Sequence, residues 1–209
     1  MVAHAALAAV TLAAWLGLGS ILLGRWLVVG DALLDLLNRL GAGALGFALL
    51  TFGAGWGGIL YRSVYLPVFV AAAAVGAVTL ARRTRSAACP RLRTWQPWEL
   101  ALLCLLVAYV ALDLLSVSAP ISSPDALLYH AADPELFAKA HRIFAVPWNS
   151  SSYEPFSVEM LVLNGFMLWN PVQGAFAPLL LALVALAAVM GFAHRIAGRR
   201  GALLAGAIF

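Results

Sequence analysis

The fold is decided by residues 99–118, whose sequence is ELALLCLLVAYVALDLLSVS. About twenty residues rising 1.5 Å each cover roughly 30 Å as an α-helix, which is the thickness of a bilayer's hydrocarbon core. The charged residues are Glu99, at the very start, and Asp113, five residues before the end. This stretch therefore predicts a helix that spans a membrane.

The composition of the whole chain agrees with that prediction. Hydrophobic residues make up 64% of the sequence and charged residues 11%, with a mean hydropathy of +0.94, whereas soluble domains average about 25% charged residues. The net charge of +4 does not indicate nucleic-acid binding, because the arginines flank apolar runs and act there as topology signals. The two cysteines, Cys89 and Cys104, form neither a zinc pattern nor a disulfide framework.

Further apolar stretches surround the first. Those long enough to span are 5–24, 40–60, 63–81 and 173–193. Residues 25–39 carry too many charges to cross and are predicted to form an interfacial amphipathic helix. Residues 201–209 are apolar but too short to cross, so we expect a truncated next span and a chain that is the N-terminal part of a larger protein. The predicted fold is an all-α, polytopic transmembrane bundle.

The basic residues predict which loops face the cytoplasm. With the loop at 82–93 inside, ten arginines fall inside and three cations, Arg62, Lys139 and Arg142, fall outside. The ten are Arg25, Arg39, Arg82, Arg83, Arg85, Arg91, Arg93, Arg195, Arg199 and Arg200. By the positive-inside rule, residues 119–172 and the N-terminus then lie on the periplasmic or extracellular side of an inner (plasma) membrane.

The second span contains Gly53 and Gly57 at a four-residue spacing. This G-x-x-x-G pattern predicts close packing against another helix. A dinucleotide-binding interpretation would need a strand and a soluble βαβ unit, which the sequence does not offer.

The outer loop, 119–172, is predicted to contain short juxtamembrane helices. Ser123 and Asp133 are candidate N-caps, each followed by a proline suited to the first helical position. Ser157 can cap a third helix that is apolar enough to lie on the membrane surface. The predicted helices cover 124–131, 134–141 and 158–169.

The outer loop also concentrates acidic residues. It holds five of the nine in the chain: Asp125, Asp133, Glu135, Glu154 and Glu159. Ionisable groups at a membrane face are costly and mark candidate sites, but an acid in the first helical turn is also stabilised by the helix dipole. Both interpretations stay open for Asp125. The spacing of His130, His141 and Asp133 gives little support to a metal site.

A family resemblance appears at these residues. The run from Asp125 through Tyr129 and His130 to Glu159-Met160-Leu161 resembles the first outer loop of bacterial GT-C-type glycosyltransferases, relatives of the dolichyl-phosphate-mannose–protein mannosyltransferases. Between them the shared positions are Pro134, Ile143, Pro147, Asn149, Ser152 and Pro155. The resemblance covers 99–209 and leaves 1–98 as an N-terminal extension of three spans and a basic cytoplasmic loop.

The resemblance implies an inverting, metal-independent transferase that moves a hexosyl or pentosyl group from a polyprenyl-phosphate donor to a glycan, lipid or protein acceptor. By position, Asp125 would be the catalytic base. The implied substrate-binding residues are Tyr129, His130, Lys139, Arg142, Asn149 and Glu159. No cofactor is predicted, and a divalent metal stays an open alternative. The chain departs from the family in three places. Glu135 replaces a frequent basic residue, Ala140-His141-Arg142 stands where the family often has a glycine, and Ala126 stands where the protein mannosyltransferases have a second acid.

Other functions fit parts of the pattern. A polymerase or ligase of lipid-linked glycans would share the polytopic build and the functional outer loop. A transporter would place ionisable groups near mid-membrane, and because Asp113 is the one acid within a predicted span, transport is disfavoured. A scaffold without activity is the remaining non-enzymatic alternative.

Overall fold

The computed structural model describes residues 2–209 except 25, 28, 85–94, 120–123, 125, 150–151 and 153–156. Throughout the described residues every regular element is helical. The α-helices are α1 (Val2–Leu23), α2 (Ala32–Trp56), α3 (Arg62–Thr84), α4 (Pro97–Val117), α5 (Ala132–Ala140), α6 (Glu159–Leu168) and α7 (Pro171–Ile208), and a short π-helix covers Ala126–His130. By length and composition, α1 to α4 and α7 could each cross a membrane, so the predicted all-helical bundle with five spans is confirmed at that level.

Helix α1 lies closely against α2 and α3 because small residues remove the space between their backbones. A Cβ atom at Gly17 would overlap the backbone of Ala72 in α3, and one at Gly43 in α2 would overlap the backbone of Trp15. Such close approach is the usual way in which helices associate inside a bilayer. The Trp15 and Phe47 side chains are buried at this three-helix contact.

The predicted packing role of Gly53 and Gly57 is wrong. A Cβ at Gly53 would meet no atom within 4 Å, and Gly57 is the residue after the last turn of α2. The glycine between them, Gly55, instead contacts the Ile143 side chain of the outer loop. The spacing alone did not reveal which face of the helix meets a neighbour.

The boundary predicted between an interfacial helix at 25–39 and a span at 40–60 is also wrong, because α2 is continuous from Ala32 to Trp56. Asp31 caps it by accepting hydrogen bonds from the amides of the first turn. Asp35 and Arg39 are buried and pair with each other at 2.9 Å, while Arg83 of α3 also donates to Asp35. Since these charges satisfy one another, they do not end the helix.

The bundle has two chemically different ends. At the first, which we call the loop end, the backbone amide of Leu60 donates to the carbonyl of His141 (3.1 Å), and that of Ile143 donates to Gly55 (2.9 Å). The N-terminal part of α1 lies at the same end, since the His4 ring stacks on Phe176, 5.9 Å away.

The opposite end, which we call the arginine end, contains two ion clusters. Arg83 pairs with Asp35 there, and Arg199 pairs with Glu99 at the start of α4. The Arg199 guanidinium also lies 4.4 Å from the ring centre of Trp95. The start of α1, the α2–α3 connection and the helices α5 and α6 thus lie at one end of the bundle, and these arginines lie at the other. That the arginine end faces the cytoplasm stays a prediction of the positive-inside rule.

Helix α7 turns back on itself. Gly198 has φ +65°, in a left-handed region that suits glycine. The space beside Gly206 is filled by Met190, although sixteen residues of straight helix would separate the two by about 24 Å. Residues after Gly198 therefore run antiparallel to residues 171–197, which we call the first limb of α7. Helix α4 packs chiefly against α7, and most of its apolar surface is exposed.

The outer loop contains the expected short helices, but two details differ. Helix α6 does not lie on a membrane surface: Met160, Leu161 and Leu163 are buried, and α6 contacts α2, α5 and α7. Asp133 and Ser157 do not act as the expected caps, because the N-cap of α5 is Ala131 and that of α6 is Val158, neither with a side-chain hydrogen bond.

Candidate functional site

The candidate site is built on the loop end by the π-helix, α5, the extended stretch that follows it, and α6. Phe137 of α5 is fully buried and meets the Phe144 ring edge-on, 5.5 Å away. Val146 is fully buried as well. These apolar contacts fix the polar residues of the loop in place on the end of the bundle.

Helix α6 is held in the bundle by a buried polar contact. The Thr51 hydroxyl lies 2.8 Å from Oδ1 of Asn164 and 2.6 Å from the carbonyl oxygen of Phe47, two acceptors that share its one proton, and it is also hydrogen-bonded to the Tyr65 hydroxyl. All three side chains are buried. Because a buried polar group without a partner costs free energy, this contact specifies how deep α6 lies.

His130 and Glu159, both predicted as substrate-binding residues, form one pair. His130 Nδ1 lies 2.6 Å from Glu159 Oε1. The Glu159 side chain is 11% exposed and that of His130 is 47% exposed, so the histidine is the accessible partner. The Tyr129 ring lies beside it, with the ring centres 4.0 Å apart. Three predicted site residues, from the π-helix and α6, are therefore adjacent.

Asn149 and Asp133 form a second pair. The Asn149 amide donates to both carboxylate oxygens of Asp133, at 3.1 and 3.2 Å. Asp133 is 1% exposed, and this burial raises the pKa of its carboxyl, while the hydrogen bond from Asn149 opposes the increase. The N-cap role expected for Asp133 is thus replaced by a buried contact that connects α5 to the chain after it.

A cleft combines basic and apolar groups, and we call it the basic cleft. It has a volume of about 320 Å³. Its polar walls are Arg62, Glu135, Lys139 and His141, and its apolar walls are Leu60, Ala138, Phe166 and Met167. Lys139 Nζ also pairs with Glu135 Oε1 at 2.6 Å, one turn away on the exposed face of α5.

His141 enters the basic cleft because of its backbone. With φ +56° it is the left-handed residue that ends α5. Its Nδ1 lies 3.0 Å from the carbonyl oxygen of Leu60, and its ring stacks on Tyr61 with 4.2 Å between centres. The histidine is thereby fixed against the α2–α3 connection, next to Arg62.

Other predicted residues lie elsewhere. Arg142 does not line the basic cleft, and its guanidinium lies 6.0 Å from the ring centre of Phe144. Asp125, the predicted catalytic base, lies outside the described residues, as do Ser123, Glu154 and Pro155. The neighbouring Pro124 is exposed.

The metal set considered from sequence is not assembled. His130 contacts Glu159, Asp133 contacts Asn149, and His141 contacts the Leu60 carbonyl. In the part of the chain that the structure describes, no group of three or more His, Cys, Asp or Glu side chains could hold a metal ion.

No sequence pattern associates Arg62 or His141 with Lys139. Arg62 was placed on the outer side by charge alone, and two predicted spans separate it from Lys139 along the chain. The available signal was the shared side of the membrane, which does not distinguish neighbours from distant residues.

Comparisons with protein-family models, with curated proteins and with solved structures find no match for this chain. The residues themselves carry the functional argument.

Proposed function

We propose that this protein transfers a sugar from a polyprenyl-phosphate donor to an acceptor at the loop end of its bundle. The observation that carries the proposal is the basic cleft, in which Arg62, Lys139 and His141 lie beside Phe166 and Met167. A polyprenyl phosphate has the matching parts, namely an anionic head and an apolar chain. The sequence resemblance to GT-C glycosyltransferases supports the same substrate class.

In the proposed reaction the acceptor hydroxyl attacks the anomeric carbon of the sugar. Asp125 takes the hydroxyl proton, the new glycosidic bond forms, and the bond from the anomeric carbon to the phosphate oxygen breaks. The electron pair leaves with the polyprenyl phosphate, and the anomeric configuration inverts. Positioned base catalysis of this kind contributes typically 10²–10⁴-fold.

The cations of the basic cleft would stabilise the leaving group. Negative charge grows on the phosphate as the bond breaks, and preorganised cations stabilise that charge most strongly where water is excluded. Lys139 is paired with Glu135 in the structure, so donor binding would exchange one anionic partner for another. Arg62 has no ion pair among the described residues and would contact the phosphate directly.

The two polar pairs would shape the sugar and acceptor site. Tyr129 and the accessible edge of His130 belong to the π-helix, which begins directly after Asp125 in the chain. They would contact sugar hydroxyls. Glu159 would hold the His130 ring in one orientation. Asn149 would act indirectly, because its amide is engaged by the buried Asp133.

A transport function is less well supported. Beyond Asp113, the structure adds Asp35 and Arg39 to the charges within a spanning helix. Both belong to the first two turns of α2 and are paired with each other. They are therefore far from the mid-membrane positions where transporters bind their substrates.

The first experiment measures sugar transfer. Membranes that contain the protein are supplied with a panel of labelled hexosyl and pentosyl polyprenyl phosphates, and the release of polyprenyl phosphate is followed. Asp125→Asn should abolish the release. Asp31→Asn is the matched control, since asparagine caps a helix as well as aspartate does and Asp31 lies at the arginine end. Full release by the Asp125→Asn variant would refute the assignment of the base.

A second experiment tests the basic cleft itself. A photoreactive polyprenyl phosphate should label peptides around α5 and α6, and Arg62→Ala combined with Lys139→Ala should reduce the labelling at least about tenfold, since each charge-assisted contact contributes about 1.5–3 kcal/mol. Arg142→Ala, outside the cleft, is the control. Unchanged labelling in the double variant would contradict the proposed donor site.

A further inference from the structure

A second cleft, which we call the inner cleft, lies at the arginine end between the start of α2 and the last turns of the first limb of α7. Its volume is about 600 Å³. Its walls include Leu34, Asn38, Ala188, Phe192, Arg195 and Ile196. It is at the opposite end of the bundle from the basic cleft, and the proposed transfer reaction does not use it.

Arg195 is one of two exposed arginines at this end, with Arg82, that make no ion pair with a described residue. Four other arginines there form ion pairs. These pairs are Arg39 and Arg83 with Asp35, and Arg199 and Arg200 with Glu99. Arg195 is exposed and makes no ion pair with any described residue. Among the described residues that line it, Arg195 therefore gives the inner cleft one positive charge without an ion pair.

The polar part of the inner cleft lies at its rim, and the apolar part lies deeper in the bundle. Gly191 of α7 faces the Leu34 side chain of α2, so these two antiparallel helices meet near the first turn of α2. Arg195 is three residues before the turn at Gly198 and lies at the rim. Ala188 is two turns deeper in the bundle, and Phe192 between them is exposed.

We propose that the inner cleft binds an anionic phospholipid of the surrounding leaflet. The phosphate would lie against Arg195, with the side-chain amide of Asn38 as a further donor, and an acyl chain would follow Phe192 and Ala188 into the bilayer. Basic pockets between spanning helices on the cytoplasmic side are suited to such headgroups. A soluble anion would gain nothing from the exposed apolar wall, whereas a phospholipid uses both parts.

The test measures which lipids remain bound to the full protein. It is reconstituted in vesicles of equal phosphatidylglycerol and phosphatidylcholine, extracted in mild detergent, and the bound lipids are quantified by native mass spectrometry. The wild type should retain phosphatidylglycerol preferentially. Arg195→Gln should lower this preference about fivefold, the contribution of one basic residue beside an anionic bilayer surface.

Two further variants make the test specific. Arg82→Gln removes another exposed arginine of the same end that does not line the inner cleft, and it should leave the preference unchanged. Ala188→Phe retains every charge but fills the apolar part, and it should lower the amount of phosphatidylglycerol retained.

Three results would overturn the proposal. The first is a preference for phosphatidylglycerol in Arg195→Gln as strong as that of the wild type. The second is a loss of this preference in Arg82→Gln as large as that in Arg195→Gln, and the third is displacement of the lipid by millimolar inorganic phosphate. The second would indicate diffuse surface charge, and the third would indicate a site for a free anion. Circular dichroism and size-exclusion chromatography confirm that each variant is folded before its lipids are compared.

Discussion

Removing the Asp35 carboxylate should destabilise the protein more than any other single charge deletion. Asp35 is 4% exposed and accepts from Arg39 Nε at 2.9 Å, from Arg83, and from the Val29 amide at 3.4 Å. Asp35→Leu leaves Arg39, itself 7% exposed, as a buried charge without its acid. Breaking a buried pair by removing one partner costs about 3–5 kcal/mol.

The other two members of this cluster give different expectations. Arg83 is 28% exposed, so Arg83→Ala should cost only about 1 kcal/mol, as solvent screens its charge. The double variant Asp35→Leu with Arg39→Leu removes both buried charges and should recover most of the loss, because apolar replacements of buried pairs are often neutral.

The assay is reversible unfolding in mixed micelles with increasing dodecyl sulfate, followed by circular dichroism, for the wild type, Asp35→Leu, Arg39→Leu, Arg83→Ala and the Asp35→Leu, Arg39→Leu double variant. The coupling free energy between Asp35 and Arg39 follows from the cycle. A loss below about 1 kcal/mol in Asp35→Leu, or a double variant that is less stable than Asp35→Leu, would refute the argument that burial makes this pair decisive.

Three further predictions use the same unfolding assay. Asn164→Leu should cost about 0.5–1.5 kcal/mol because it removes a buried hydrogen bond between α2 and α6, while the Thr51 hydroxyl keeps the Phe47 carbonyl as an acceptor. The double variant with Thr51→Val should lose less than the sum of the two single losses; a neutral Asn164→Leu would contradict the buried contact. Gly17→Ala should cost about 1–3 kcal/mol by overpacking against α3, whereas Gly53→Ala, with open space around it, should be neutral or stabilising; equal effects would show that the close approach is not required. Burial raises the folded-state pKa of Asp133 above its ordinary 3.8, so folding favours the protonated carboxyl. The wild type should therefore lose stability relative to Asp133→Asn as the pH rises above 3.8. A stability difference that is independent of pH would contradict this.

The number and approximate position of the spans could be predicted from sequence because a run of about twenty apolar residues has few other stable environments. The start of α2 could not. The charges of Asp35 and Arg39 indicate, by local pattern, that the chain leaves the membrane at these residues. In the structure Arg83, from another helix, completes their neutralisation. A residue that distant is invisible to any local pattern.

The candidate site shows the same limit. The sequence indicated that Tyr129, His130, Lys139 and Glu159 share one outer loop, but the pairing of His130 with Glu159 depends on how α6 docks. The docking in turn depends on Asn164 reaching Thr51. Helix-helix contacts were missed for a similar reason: Gly53 and Gly57 have the expected spacing, yet the close approach occurs at Gly17, whose partner lies in α3.

The Glu99–Arg199 contact has a consequence for biogenesis. Helix α1 packs on α2 and on α3, which directly follow it in the chain, so these three can assemble in the membrane as soon as they have left the ribosome and the insertion machinery. Helix α4 packs chiefly against α7, and its buried Glu99 pairs with an arginine synthesised 100 residues later. At typical elongation speeds of 5–20 residues per second, α4 waits about 5–20 s for Arg199, with Glu99 at the membrane boundary and without its cation. During this interval α4 is the part of the nascent chain most dependent on an insertase or on neighbouring lipids.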